Sequence, residues 1–143
     1  MADDTPNEMR TIDTIARALV AGLPEGWRQV DATYLATAPY AELDATVVGP
    51  TGESAQVDPL PDDLESHFET LRLQMYQPGK GTWLTARITI TADGHFSTDF
   101  DYDNEPAWSM PVNDDVYAAD LAEFPREDQH IPDWLRTKLH ETR

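Results

Sequence analysis

The side chains with the most chemical potential crowd into one run, Asp99-Phe100-Asp101-Tyr102-Asp103-Asn104-Glu105. Carboxylates at alternate positions offer the hard oxygen ligands that Ca²⁺ and Mg²⁺ prefer. A calcium loop starting at Asp99 needs glycine sixth and glutamate twelfth, yet Asn104 and Met110 stand there. On a strand, alternation also spaces Asp99, Asp101 and Asp103 about 7 Å apart along one side, wider than a compact cage. The pattern predicts a charged surface, with no metal and no cofactor. The alternative is a small metal-dependent hydrolase using Asp99 and Asp101 with His95.

Other catalytic patterns are missing from the sequence. His67, His95, His130 and His140 are scattered without HExxH spacing, and no serine sits in GxSxG. Gly79-Lys80-Gly81 lacks the rest of a phosphate loop, and there is no GxGxxG. The chain has no cysteine, which removes disulfides, thiolate metal sites and thiol nucleophiles together. Two carboxylates can act as general acid and base only in a pocket that raises one pKa. Among 27 acidic residues, chance pairs are expected. The expectation is a protein that is not an enzyme.

Those 27 acids face 10 lysines and arginines, a net charge of −17 over 143 residues. Such a surface repels nucleic-acid phosphates and anionic lipids and attracts cationic proteins. The expected partner is therefore a basic protein, with neither nucleic acid nor membrane bound. Acidity with a mean hydropathy of −0.55 also suits disorder, but 4 Trp, 5 Tyr and 4 Phe in periodic patterns favour a packed core. The first residues do not have the form of a signal peptide, and apolar runs stay far below the ~20 residues of a membrane span. Both points set the expectation of a cytoplasmic protein.

The elements that must position the acidic run follow from hydrophobic period. Residues 1–4 read as a loose tail, and Thr5-Pro6-Asn7-Glu8 has the form of a capping box. Ile12, Ile15, Ala16, Leu19, Val20 and Leu23 then make one apolar helical face, stopped by Gly22 and Pro24. From Trp27 the period becomes two. Val30, Ala32, Tyr34 and Ala36 oppose Gln29, Asp31, Thr33 and Leu35, and Ala41, Leu43, Ala45 and Val47 alternate after a turn at Pro39. Ser54 to Val57 suggests a short third strand. Asp62 is the expected N-cap of a helix that buries Leu64, Phe68, Leu71 and Met75.

A hairpin follows around Asp93-Gly94, where the turn requires positive φ. Leu84, Ala86, Ile88 and Ile90 alternate before it, and Phe96, Thr98, Phe100 and Tyr102 after it, forming its apolar face. Trp83, Arg87, His95, Asp99 and Asp101 are expected on the wetter face. Asp114 to Phe124 reads as a short helix with Tyr117, Leu121 and Phe124 inward, and Ile131-Pro132 opens a last helix carrying Trp134, Leu135 and Leu139. The expected fold is α+β: one domain over residues 1–143, a meandering antiparallel β-sheet with helices packed on one face.

The hairpin also carries a resemblance. Trp83-Leu84-Thr85-Ala86-Arg87-Ile88-Thr89-Ile90, Asp93-Gly94-His95-Phe96 and Phe100-Asp101-Tyr102-Asp103 together resemble the YezG-like immunity proteins (antitoxins) of bacterial polymorphic toxin systems. Leu23-Pro24-Glu25-Gly26-Trp27 and the helix from Leu64 to Tyr76 fit as well, so the likeness covers residues 8 to 105. The helical segment 105–143 diverges from it. The resemblance implies a protein that binds a co-produced secreted toxin, a nuclease among other activities, and blocks it. Charge and resemblance converge on Asp99, Asp101, Asp103, Glu105, Trp108, Asp114 and Asp115 as expected partner contacts: aromatic anchors for affinity within an acidic rim for steering. A regulatory module for some other basic protein would present the same surface.

Overall fold

The computed structural model describes residues 5–141 and the side chains of residues 7–139. The tail expected at residues 1–4 lies outside them, as do the Thr5 and Pro6 side chains of the expected capping box. In chain order the elements are α1 (Thr5–Ala21), β1 (Gln29–Ala36), β2 (Ala41–Val48), β3 (Ser54–Gln56), α2 (Leu64–Gln74), β4 (Thr85–Thr91), β5 (Phe96–Asp101), α3 (Asp115–Glu123) and α4 (Asp133–Glu141). The architecture is α+β. All strand pairs are antiparallel, in the order β3-β2-β1-β4-β5. Among the described residues no helix is long and apolar enough to cross a membrane.

Period-two patterning explains the layers. Val30, Ala32 and Tyr34 of β1 lie beside Ile90, Ile88 and Ala86 of β4, and all six are buried on the same face. Ile12, Ile15 and Leu19 of α1, with Leu64, Phe68 and Leu71 of α2, close over them. Each such aliphatic or aromatic side chain contributes about 1.5–3 kcal/mol by leaving water. Tyr34 stacks on Phe68 with ring centroids 5.2 Å apart. Among the described residues no helix lies across the opposite sheet face.

Several expectations need correction. Trp83 is fully buried (0% exposed), not on the wetter face. β4 begins only at Thr85, so strand alternation does not reach Trp83, and its ring inserts between Tyr34 (6.1 Å) and Phe100 (5.7 Å). Phe96 is 47% exposed, because β5 is an edge strand that the helical layer covers only in part. The N-cap of α2 is Asp63, and its carboxylate makes no capping bond. In the β4–β5 hairpin only Gly94 takes positive φ (+100°), since the turn is a longer loop closed by Thr91 and His95.

The last two helices pack at one end of the sheet. Arg72, on α2, sends both terminal nitrogens to Asp120 of α3 (2.8 and 2.9 Å) and donates Nε to the Trp83 carbonyl (2.8 Å). Asp120 also accepts from the Ala38 amide just past β1 (2.8 Å), and the Phe124 ring lies 5.0 Å from the guanidinium. Both side chains are buried, 5% and 9% exposed. Arg126, 3% exposed, donates to the carbonyls of Tyr102 (2.6 Å), Thr82 (3.3 Å) and His130 (3.0 Å). Gly81 makes room for it, because a Cβ there would lie 2.7 Å from the Arg126 Nε.

Removing one partner of a buried pair strands the other charge, so Arg72→Met should lower the unfolding free energy by about 3–5 kcal/mol. The double variant R72M/D120N keeps an acceptor for Ala38 and should recover much of that loss. Urea unfolding measures both. A cost below about 1 kcal/mol for Arg72→Met would show that the pair holds nothing together.

Candidate functional site: an acidic open sheet face

Strand register builds this surface row by row. One row runs Asp44, Thr33, Arg87, Asp99 across β2, β1, β4 and β5. The next runs Glu42, Leu35, Thr85, Asp101, and on the other side lies Thr46, Asp31, Thr89, Ser97. Neighbouring strands are about 4.8 Å apart, so the first two rows place their end carboxylates roughly 14 Å from each other, and the third carries Asp31 inside it. Arg87 is the sole cation within these rows. Among the described residues the side chains of Arg87 and Asp99 make no hydrogen bond or ion pair, and both are exposed.

The chain after β5 turns this face into a cleft of about 830 Å³. Thr33, Leu35 and Thr85 form its floor, with Glu42 and Asp101 on opposite sides. Glu105, Ala107 and Ser109 close one end. Hydrogen bonds fix this wall. The Ser109 amide donates to Glu42 Oε1 (3.0 Å), and the Tyr40 hydroxyl donates to Glu42 Oε2 (2.8 Å). Trp108 lays its ring 5.2 Å from Tyr40 and donates Nε1 to the Tyr117 hydroxyl (2.9 Å).

Electrostatics follow from the same contacts. Partial burial opposes the Glu42 charge, but the bonds from Ser109 and Tyr40 outweigh it and hold its pKa below the ordinary value. Asp101 behaves likewise. Burial opposes its charge, and donation from the Asn104 side chain and from the Asp103 and Asn104 amides prevails. Asp31 is saturated by Thr89 Oγ1 (2.6 Å) and Gln29 Nε2 (3.0 Å). Glu42 and Asp101 therefore stay ionised at neutral pH.

Of the residues expected to meet a partner, Asp99, Asp101 and Glu105 come together on the face or its rim. Trp108 is half-buried and serves as a strut of the wall, its N–H already spent. Asp114 lies behind that wall, where Lys138 approaches it (3.7 Å) and Glu105 (3.9 Å). Asp103 lines a separate groove with Lys80 and His130, and Asp115 sits in the first turn of α3. Sequence reasoning missed Glu42, Asp44 and Tyr40. The even positions of β2 could have supplied Glu42 and Asp44, had the pairing of β1 with β4 been known, while Tyr40 precedes the strand.

Among the described residues no three His, Asp or Glu side chains gather in a way that could hold a metal ion. In the alternative hydrolase set of Asp99, Asp101 and His95, the Asp101 carboxylate is bonded within its own turn and His95 is bonded to Asp93.

Because the Glu42 pKa is lowered on folding, its tether is complete above the ordinary carboxylate range and lost as pH falls through its own lower value. Exchange protection of the Ser109 amide should therefore drop as pH falls below the ordinary carboxylate range, ahead of amides in β1. Glu42→Ala should produce the same loss at neutral pH. Unchanged Ser109 protection in that variant would contradict the tether. No protein-family model matches the chain, and no curated protein matches it.

Proposed function

We propose that the protein is an immunity protein, binding a cognate toxin domain of basic surface and neutralising it by covering that domain's active site. The observation that carries this reading is the uncovered sheet face, where Asp31, Glu42, Asp44, Asp99 and Asp101 spread over three strands around Arg87 on a fourth. A toxin that acts on nucleic acid must itself attract phosphate. A rigid array of carboxylates competes for that same positive field.

Three features divide the work. Net charge of −17 accelerates encounter with a cation, a contribution that falls with salt. Leu35 and Tyr40 give apolar contact inside the cleft. The unpaired Arg87 selects an orientation, because only a partner that offers it an acceptor avoids burying a lone cation. The resemblance at Phe100-Asp101-Tyr102-Asp103 points the same way. Those residues form the end of β5 and the turn that leads into the cleft wall.

The reading is tested with the toxin domain encoded beside this protein. A saturable complex at moderate salt is expected, and its absence sinks the proposal. In that complex the double variant D44K/D99K should slow association by tenfold or more at low salt. Both residues are exposed strand positions, so the fold should survive. Association rates equal to the parent protein's would show that the face does not steer.

A further inference from the structure

The sheet ends on an edge with few of the devices that usually protect one. β5 spans six residues, Phe96-Ser97-Thr98-Asp99-Phe100-Asp101, with neither lysine nor proline. Such edges are normally shortened, bulged, charged with lysine or covered. The opposite edge, β3, is only three residues long. Among the described residues no strand pairs with the outer side of β5.

Hydrogen-bond phase shows what that side offers. The Thr91 amide donates to the His95 carbonyl (2.8 Å), which fixes the alternation along the β4–β5 ladder. Odd-numbered residues of β5 bond to β4. Phe96, Thr98 and Phe100 therefore aim their N–H and C=O groups away from the sheet. The two sides of the edge differ in chemistry. On the helical side Phe96 and Met9 are both about half exposed, 47% and 53%, and border one shallow hollow with Ala16. On the open side stand Ser97, Asp99 and Asp101.

We infer that β5 accepts an extended segment of the partner as a sixth strand, one whose residues alternate between basic and apolar. Its lysines or arginines face Asp99 and Asp101, and its apolar residues face Phe96, Phe100 and Met9. Backbone bonds to Phe96, Thr98 and Phe100 supply affinity, and the two-sided pattern supplies selectivity. A second copy of this chain is a poorer occupant, because it brings another −17 and another Asp99 and Asp101 to the same edge. The inference deepens the proposal of a basic partner and rests on it, but can fail while that proposal stands.

The probe is a capped peptide alternating lysine and valine, with a second peptide of equal charge whose alternate amides are N-methylated. The first should raise exchange protection of the Phe96, Thr98 and Phe100 amides at least tenfold, and the methylated peptide should not. Thr98→Pro removes an outward N–H and no bond to β4, so the sheet is retained while peptide affinity falls tenfold or more. Equal binding by both peptides overturns the edge and leaves a charge-driven basic partner intact. Binding by neither overturns the edge, and the toxin-domain complex then decides the broader proposal alone. Equal capture of the toxin domain by T98P and the parent protein, or protection that appears with protein concentration and no peptide, also overturns it.

Discussion

The buried contact between Arg72 and Asp120 holds the last third of the chain to the rest. It is bidentate, largely dry, and joined by the Trp83 carbonyl and the Ala38 amide. Four parts of the chain meet there: α2, the approach to β4, the turn after β1, and α3. Burying two ions is expensive, and a pair repays that cost only when nearly every donor and acceptor is matched. Here the matching is close to complete. Arg126 repeats the solution nearby with carbonyl oxygens as its partners.

The consequence reaches the open face. With α3 fixed, Tyr117 is in place to accept from Trp108, Trp108 packs on Tyr40, and Ser109 reaches Glu42. A buried ion pair thus supports the wall of a cleft that it does not itself line. The other requirement is a one-sided sheet. α1 and α2 spend their apolar faces on the alternate residues of β1 and β4, which leaves most of the remaining residues free to be threonine, aspartate, glutamine and arginine.

Much of this architecture was legible in the sequence, because alternation and helical period are local signals. Val30-Ala32-Tyr34 against Asp31-Thr33, and Ala86-Ile88-Ile90 against Arg87, gave both faces of two central strands. Three things were not legible. The β1–β4 pairing joins strands about fifty residues apart, so the rows that set Asp44 beside Thr33 and Arg87 could not be assembled. Asp120 has no local signal that sets it apart from the other acids of α3, since its value lies in a distant arginine. Trp83 and Phe96 exchanged their expected environments because a strand start and a sheet edge override the simple alternation. The candidate contacts fared unevenly for the same reason. Proximity in sequence grouped Asp99 to Asp115, while the fold sends Asp103 and Asp115 away from the cleft and brings in Glu42 and Asp44.

The central claim is that the partner meets the uncovered face of the sheet and its β5 edge, and does not dock on α2 or on the C-terminal half of α1. Side-chain methyl groups distinguish the two directly, because Thr33, Thr46, Thr85 and Thr89 lie on the first while Leu73 and Ala18 belong to α2 and α1. Methyl-resolved NMR of the complex with the neighbouring toxin domain should show shifts concentrated on those threonines. Shifts centred on Leu73 and Ala18, with the threonine methyls unmoved, would contradict the account.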